Sequence, residues 1–96
     1  MSRKGIVRAA SVTTTTALFL PARADRTGLV LFAPVAGNYT VSDSPAITPG
    51  SGIYMIAGMA PVNLDEASVG DLTQQALYAV GSLDPTSFGY VEVVGG

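Results

Sequence analysis

Asn63, Asp65, Glu66, Ser68 and Asp71 bring three carboxylates, an amide and a hydroxyl into one stretch of this 96-residue sequence. Asn63, Asp65, Ser68 and Asp71 fall within nine residues, as a cation-binding loop requires. The group lacks the central glycine and closing glutamate of an EF-hand loop. Adjacent residues of an extended strand point to opposite faces, so Asp65 and Glu66 do not form an acid/base pair on one substrate. They read as solvated loop acids. Gly50-Ser51-Gly52 has the glycines of a phosphate cradle, but Ile53-Tyr54-Met55-Ile56 follows as a strand, with neither a helix N-terminus nor a P-loop lysine. Pro49-Gly50 is a turn signal. Asn38-Tyr39-Thr40 spells a glycosylation sequon; without a secretory signal it reads as the entry to a strand.

What is missing narrows the chemistry further. The sequence has no histidine and no cysteine. The commonest general base, the commonest metal ligand and every Ser-His or Cys-His arrangement are therefore absent. No disulfide framework or thiolate metal site is available. The expectation is a non-enzymatic protein with no catalytic residue, no cofactor and no metal. A hydrolase working with carboxylates alone is the residual enzymatic alternative. Tyr39, Tyr54, Tyr78 and Tyr90 offer stacking surfaces for a sugar, which keeps a carbohydrate- or receptor-binding module in view. Each lies in a strand-like segment, where tyrosine packs on cross-strand neighbours.

Charge points to partners instead. The chain is 48% hydrophobic and 12% charged, about half the charged share of an average globular domain. So apolar and uncharged a surface is expected to be covered by assembly. All five cations (Arg3, Lys4, Arg8, Arg23, Arg26) and only one acid, Asp25, lie in residues 1–26. Residues 27–96 hold six acids and no cation. The split fits head-to-tail attraction between subunits, or pairing within one fold. Arg3, Lys4 and Arg8 are the candidate partner-binding residues, in an N-terminal arm over residues 1–8. They lack the interleaved aromatics or RNA-binding motif that nucleic-acid recognition would add. No segment reads as a membrane span, and Ser11 with Thr13-Thr14-Thr15-Thr16 interrupts the apolar run a signal peptide would need. The chain reads as mature as written and made in a cytoplasm.

The elements that position these residues are short strands bounded by Gly, Pro, Asn, Asp and Ser. Residues 6–12 and 14–20 read as strands or one long bent strand, the threonine run favouring extended backbone. Residues 26–32, 38–42, 52–57, 61–64, 76–80 and 90–94 complete the set. Only residues 64–77 compete as helix: Asp71 with Gln74 fits a capping box, and Gly70 limits it to a turn or two. One β domain over residues 1–96 is expected, all-β, a small antiparallel sandwich or barrel of about seven or eight short strands with an extended N-terminal arm. Its sheet edges are thinly guarded, because edge protection relies on charge, especially lysine, and the chain has one lysine, Lys4.

Several segments in order carry a resemblance. They are Leu18-Phe19-Leu20-Pro21-Ala22-Arg23 leading into Arg26-Thr27-Gly28-Leu29-Val30-Leu31-Phe32, then Asn38-Tyr39-Thr40-Val41 and Gly52-Ile53-Tyr54-Met55-Ile56-Ala57-Gly58. Ala76-Leu77-Tyr78-Ala79-Val80 and Tyr90-Val91-Glu92-Val93-Val94 come after them. This pattern, over residues 15–94, resembles small β-sandwich structural proteins of tailed-bacteriophage virions, especially capsid decoration (cement) proteins. The resemblance implies a protein made in the bacterial host cytoplasm and present in many copies on the capsid surface. There it would oligomerise, with a trimer favoured, bind the major capsid protein and stabilise the head, its arm touching the shell or a sister subunit. A neck, tail or fibre-base component built on the same sandwich is the alternative location. Deleting residues 1–8 is then expected to abolish attachment and leave the sandwich folded.

Overall fold

Residues 86–95 alternate strictly between one buried and one half-buried face, the period of a strand lying against a core. Thr86, Phe88, Tyr90, Glu92 and Val94 face inward. In the computed structural model, which describes residues 3–47, 52–65 and 70–95, this segment is a central strand of the first of two sheets. The strands are β1 (Arg3–Val12), β2 (Ala17–Leu20), β3 (Arg26–Leu31), β4 (Asn38–Ser42), β5 (Ile53–Ile56), β6 (Val62–Asp65), β7 (Leu77–Gly81) and β8 (Thr86–Gly95). A 3-10 helix spans Gly70–Gln74, the turn or two expected there.

The strands form two four-stranded sheets, ordered β1-β8-β3-β6 and β2-β7-β4-β5. All pairings are antiparallel. The architecture is a β-sandwich rather than a closed barrel. Leu29 and Leu31 of the first sheet meet Tyr39, Val41, Met55, Leu77 and Ala79 of the second in the core. Tyr39 stacks on Phe88 with ring centroids 3.8 Å apart, and Phe19 meets Tyr90 edge-on at 4.9 Å. Such pairs stabilise by about 1 kcal/mol beyond the area they bury.

Two expectations change. Residues 3–8 are not an arm: they are the first part of β1, which pairs with β8 in unbroken register from Arg3↔Gly95 to Val12↔Thr86. The partner strand lies at the other end of the chain, so nothing local announces the pairing. The threonine run is not a strand either. Thr13 Oγ1 accepts from the Thr15 amide at 3.2 Å, a local side-chain turn that competes with extended backbone. Thr13 O accepts from the Gly81 amide. The run carries the chain from the first sheet to the second.

A register shift in β3 between Arg26 and Gly28 brings a charge into the core. Leu29 and Leu31 face the core, so strict alternation would place Thr27 inside and Arg26 outside. The extra residue resets the phase. Arg26 is fully buried, paired in register with Val94.

Candidate functional site

Among the described residues, Glu92 and Arg26 are the two charged side chains buried in the sandwich. Glu92 accepts from Arg26 Nε at 3.1 Å on one carboxylate oxygen and from Arg8 Nε at 3.1 Å on the other. Side-chain exposures of 1% for Arg26, 6% for Glu92 and 48% for Arg8 grade the cluster from core to surface. Arg26 also donates to the carbonyls of Thr73 and Gln75, at 3.1 and 3.2 Å, and to that of Pro21. One guanidinium thus ties β3, β8, the 3-10 helix and the segment after β2 together. A buried carboxylate needs this degree of compensation, because an isolated buried charge is prohibitively costly.

Around it lies a recess of about 330 Å3, walled by Arg8, Arg23, Arg26, Phe19, Tyr90 and Glu92. Arg23 is held at the rim by Asp25, with Nε to Oδ1 at 2.6 Å. The hydrogen bond from Arg23 keeps the Asp25 carboxyl below the usual carboxylate range. Burial, reinforced by the Glu92 charge, pushes the Tyr90 phenol up. These groups are committed to one another. The geometry is that of a structural latch, with none of its members poised as a nucleophile or free base.

The candidate partner-binding residues separate. Arg3, Lys4 and Arg8 all lie on β1, in register with Gly95, Val94 and Tyr90. Lys4 is exposed, while Arg8 turns its Nε to Glu92 within the chain. Within the chain Arg26 takes Glu92 and Arg23 takes Asp25. Sequence reasoning missed the latch, although one signal was present. Glu92 shares its parity with Phe88, Tyr90 and Val94, so a carboxylate on an apolar face demanded a cation.

The tyrosines divide as well. Tyr39 is wholly buried and donates to the Phe32 carbonyl at 2.8 Å, and burial pushes its phenol up. Tyr90 is core too. Tyr54 pairs with Thr40, and Tyr78 with Ser42 and Leu18. Thr40 and Ser42 share a parity on β4, so Tyr54 and Tyr78 sit diagonally on the outer face of the second sheet.

Of the oxygen group, Asn63 and Asp65 lie on β6, on the solvent side of Leu64. Glu66 and Ser68 lie outside the described residues, as do Gly50 and Ser51 of the glycine pair. Among the described residues no three His, Cys, Asp or Glu side chains come together to hold a metal. No helix among them is long and apolar enough to cross a membrane.

The outer face of the first sheet carries exposed apolar side chains. Val7, Val91 and Val30 form one row across β1, β8 and β3. Val7 is 81% exposed and Val35, beyond the sheet, 85%. Gly5, Gly28 and Gly89 lie beside Val91, Val93 and Phe32, whose side chains stand at ordinary contact distance, 3.4–3.8 Å, from where a Cβ would be. Its rows are built mainly of glycine and valine, with Asn63 and Asp65 at the β6 edge. A shallow depression of about 430 Å3 opens on this face beside Ala9, Ser11, Val35 and Ser87. Comparison with family models, curated proteins and solved structures finds no match to this chain.

Proposed function

We propose that this chain is a non-enzymatic structural protein of a tailed-bacteriophage virion. In this reading it is a decoration (cement) protein that self-associates on the capsid surface and binds the major capsid protein. The observation that carries the reading is the apolar outer face of the first sheet, bordered by a ten-residue edge strand with Val7 exposed at its middle. Covering such a face stabilises by about 25 cal/mol per Å2 of apolar area, multiplied over every copy on a shell. Lys4 and the outer half of Arg8 supply positive charge at the border for an acidic shell surface, with Arg3 beside them in sequence. A trimer is the oligomer that the resemblance favours.

Quantitative mass spectrometry of purified virions tests the reading directly. The expected result is a copy number near one per major capsid subunit. A few copies per particle would move the protein to the neck, tail or fibre base, and absence from virions would overturn a virion role. One observation supports a second class of function: Tyr54 and Tyr78 with the exposed Leu18 make a small aromatic patch on the second sheet. Glycan-array binding that requires either tyrosine would bring the carbohydrate-binding reading forward.

A further inference from the structure

The four sheet edges are not equally protected. β2 is four residues long and broken by a register shift between Leu18 and Leu20, and an irregular edge resists pairing. β5 folds its end over, the Ile56 amide donating to Met59 Sδ at 3.0 Å. β1 has no such device. It runs for ten residues without proline or bulge, and among the described residues its backbone groups pair with β8 alone. Arg8, the one cation near its middle, is drawn toward Glu92 and away from guard duty. An edge of this length is a template for one more strand.

The opposite edge of the same sheet is β6, and its register fits. Four rows cross the sheet completely: Gly5–Val93–Gly28–Asp65, Ile6–Glu92–Leu29–Leu64, Val7–Val91–Val30–Asn63 and Arg8–Tyr90–Leu31–Val62. An antiparallel sheet with an even number of strands has edges that run in opposite directions. A second copy set beside the first in the same orientation therefore offers its β6 antiparallel to β1. With no slip along the rows, Val62–Asp65 of that copy meets Gly5–Arg8, the stretch centred on the exposed Val7. Charge agrees: β1 carries Arg3, Lys4 and Arg8 and no acid, whereas β6 carries Asp65 and no cation. Pairing β1 with a second β1 would instead set two basic strands together with no acid on either to offset Arg3 and Lys4.

We propose that copies of this chain associate head to tail, the β6 edge of one extending the β1 edge of the next into a continuous sheet. Such a contact is heterologous, so it closes a ring where the rotation allows and otherwise propagates. It rests on the decoration reading in supposing that copies meet, and it adds where they meet. It also gives the charge split of the sequence a use: the basic N-terminal strand of one copy lies against the acidic edge of another.

The test uses the purified full-length chain in analytical ultracentrifugation, with Val7→Lys to guard β1 and Asn63→Lys to guard β6. Both positions are solvent-facing edge sites, and far-UV circular dichroism verifies that each variant keeps the sandwich. The expected result is a wild-type chain larger than 9.8 kDa, each variant alone at 9.8 kDa, and an equimolar mixture of the two at twice that mass. The mixture forms because each variant keeps the edge the other has lost. A wild-type monomer at every concentration overturns the seam. So does an Asn63→Lys variant that still self-associates, since it would pair by β1 alone or by a face, or a mixture that stays monomeric. Hydrogen exchange on the wild-type chain reads the same seam without any variant. Amides of residues 5–8 and 62–65 should slow as concentration rises, and concentration-dependent protection confined to other strands overturns it. These outcomes are independent of virion copy number, so failure of the seam and failure of the head assignment are separately visible.

Discussion

Replacing Arg26 by methionine tests the latch at its centre. Methionine fills similar length with no charge, so the perturbation falls on electrostatics and hydrogen bonding rather than volume. Glu92 would keep only Arg8, whose side chain is 48% exposed and shares its charge with solvent. Breaking a buried pair by removing one partner costs about 3–5 kcal/mol. The carbonyl of Thr73, a buried residue, also loses its Arg26 donor, and an orphaned buried acceptor adds about 1–3 kcal/mol. The sum is about 4 kcal/mol or more, against a total of about 5–15 kcal/mol for a domain of this kind. For a chain of this size that is a fall in Tm of about 15–30 °C. Urea unfolding followed by far-UV circular dichroism gives the loss directly; the chain has no tryptophan to report it. Arg8→Met is the internal control. Its partner keeps Arg26, and a half-exposed pair contributes about 1 kcal/mol or less, weakening further in high salt. A double variant, Arg26→Met with Glu92→Met, should recover part of the single loss, because the uncompensated carboxylate is gone. An Arg26→Met cost within about 1 kcal/mol of zero, or equal costs for Arg8 and Arg26, would refute the assignment of Arg26 as the buried anchor.

Three further outcomes are expected of the same structure. Thr73→Val should raise stability by about 1 kcal/mol in urea unfolding, since Thr73 Oγ1 is buried without a hydrogen-bond partner and valine removes that polar group; a loss of similar size would show that the hydroxyl is satisfied. Tyr39 and Tyr90 should ionise above the ordinary tyrosine value in an ultraviolet absorbance titration. The folded state then keeps protons that the unfolded chain releases, so stability is full below about pH 10 and falls as pH rises beyond it; Tyr39 and Tyr90 ionising at the ordinary tyrosine value with no loss of folding would contradict this. Deleting residues 1–8 should not leave a folded sandwich with its attachment lost. It removes six of the ten β1–β8 pairs and takes Arg8 from Glu92, so the expected result is loss of soluble folded protein; a folded monomer by circular dichroism and sedimentation would restore the arm.

The middle strands were legible because each is a short apolar run closed by turn residues, whereas β1 and β8 run for ten residues and reach beyond the 6–12 and 90–94 segments read as strand. The alternation of β8 held the signal for its inward face, but only residues 90–94 were read as strand and the parity of Glu92 went unused. Sheet membership was not legible, because β1 pairs with a strand more than seventy residues away and no local pattern encodes that choice. The latch was hidden by a single residue. Counting back from Leu31 and Leu29 puts Arg26 on the solvent face, and the register shift before Gly28 turns it inward. Arg8 was hidden by the mistaken arm. Once residues 3–8 are a strand, Arg8 shares a face with Ile6, the register partner of Glu92, and comes within reach of the carboxylate.

That placement changes what the N-terminal segment can do for a partner. A loose arm gains affinity only after its ordering entropy is met, at about 1–2 kcal/mol per residue for the backbone. β1 has already met that cost: ten register pairs hold it to β8, and Arg8 pins it through Glu92 to Arg26 in the core. An incoming strand therefore meets an edge whose amides and carbonyls are fixed in direction and spacing, and such preorganisation converts directly into affinity. The buried ion pair and the open edge are then parts of one device, because anything that loosens Arg26 also loosens the strand that faces outward.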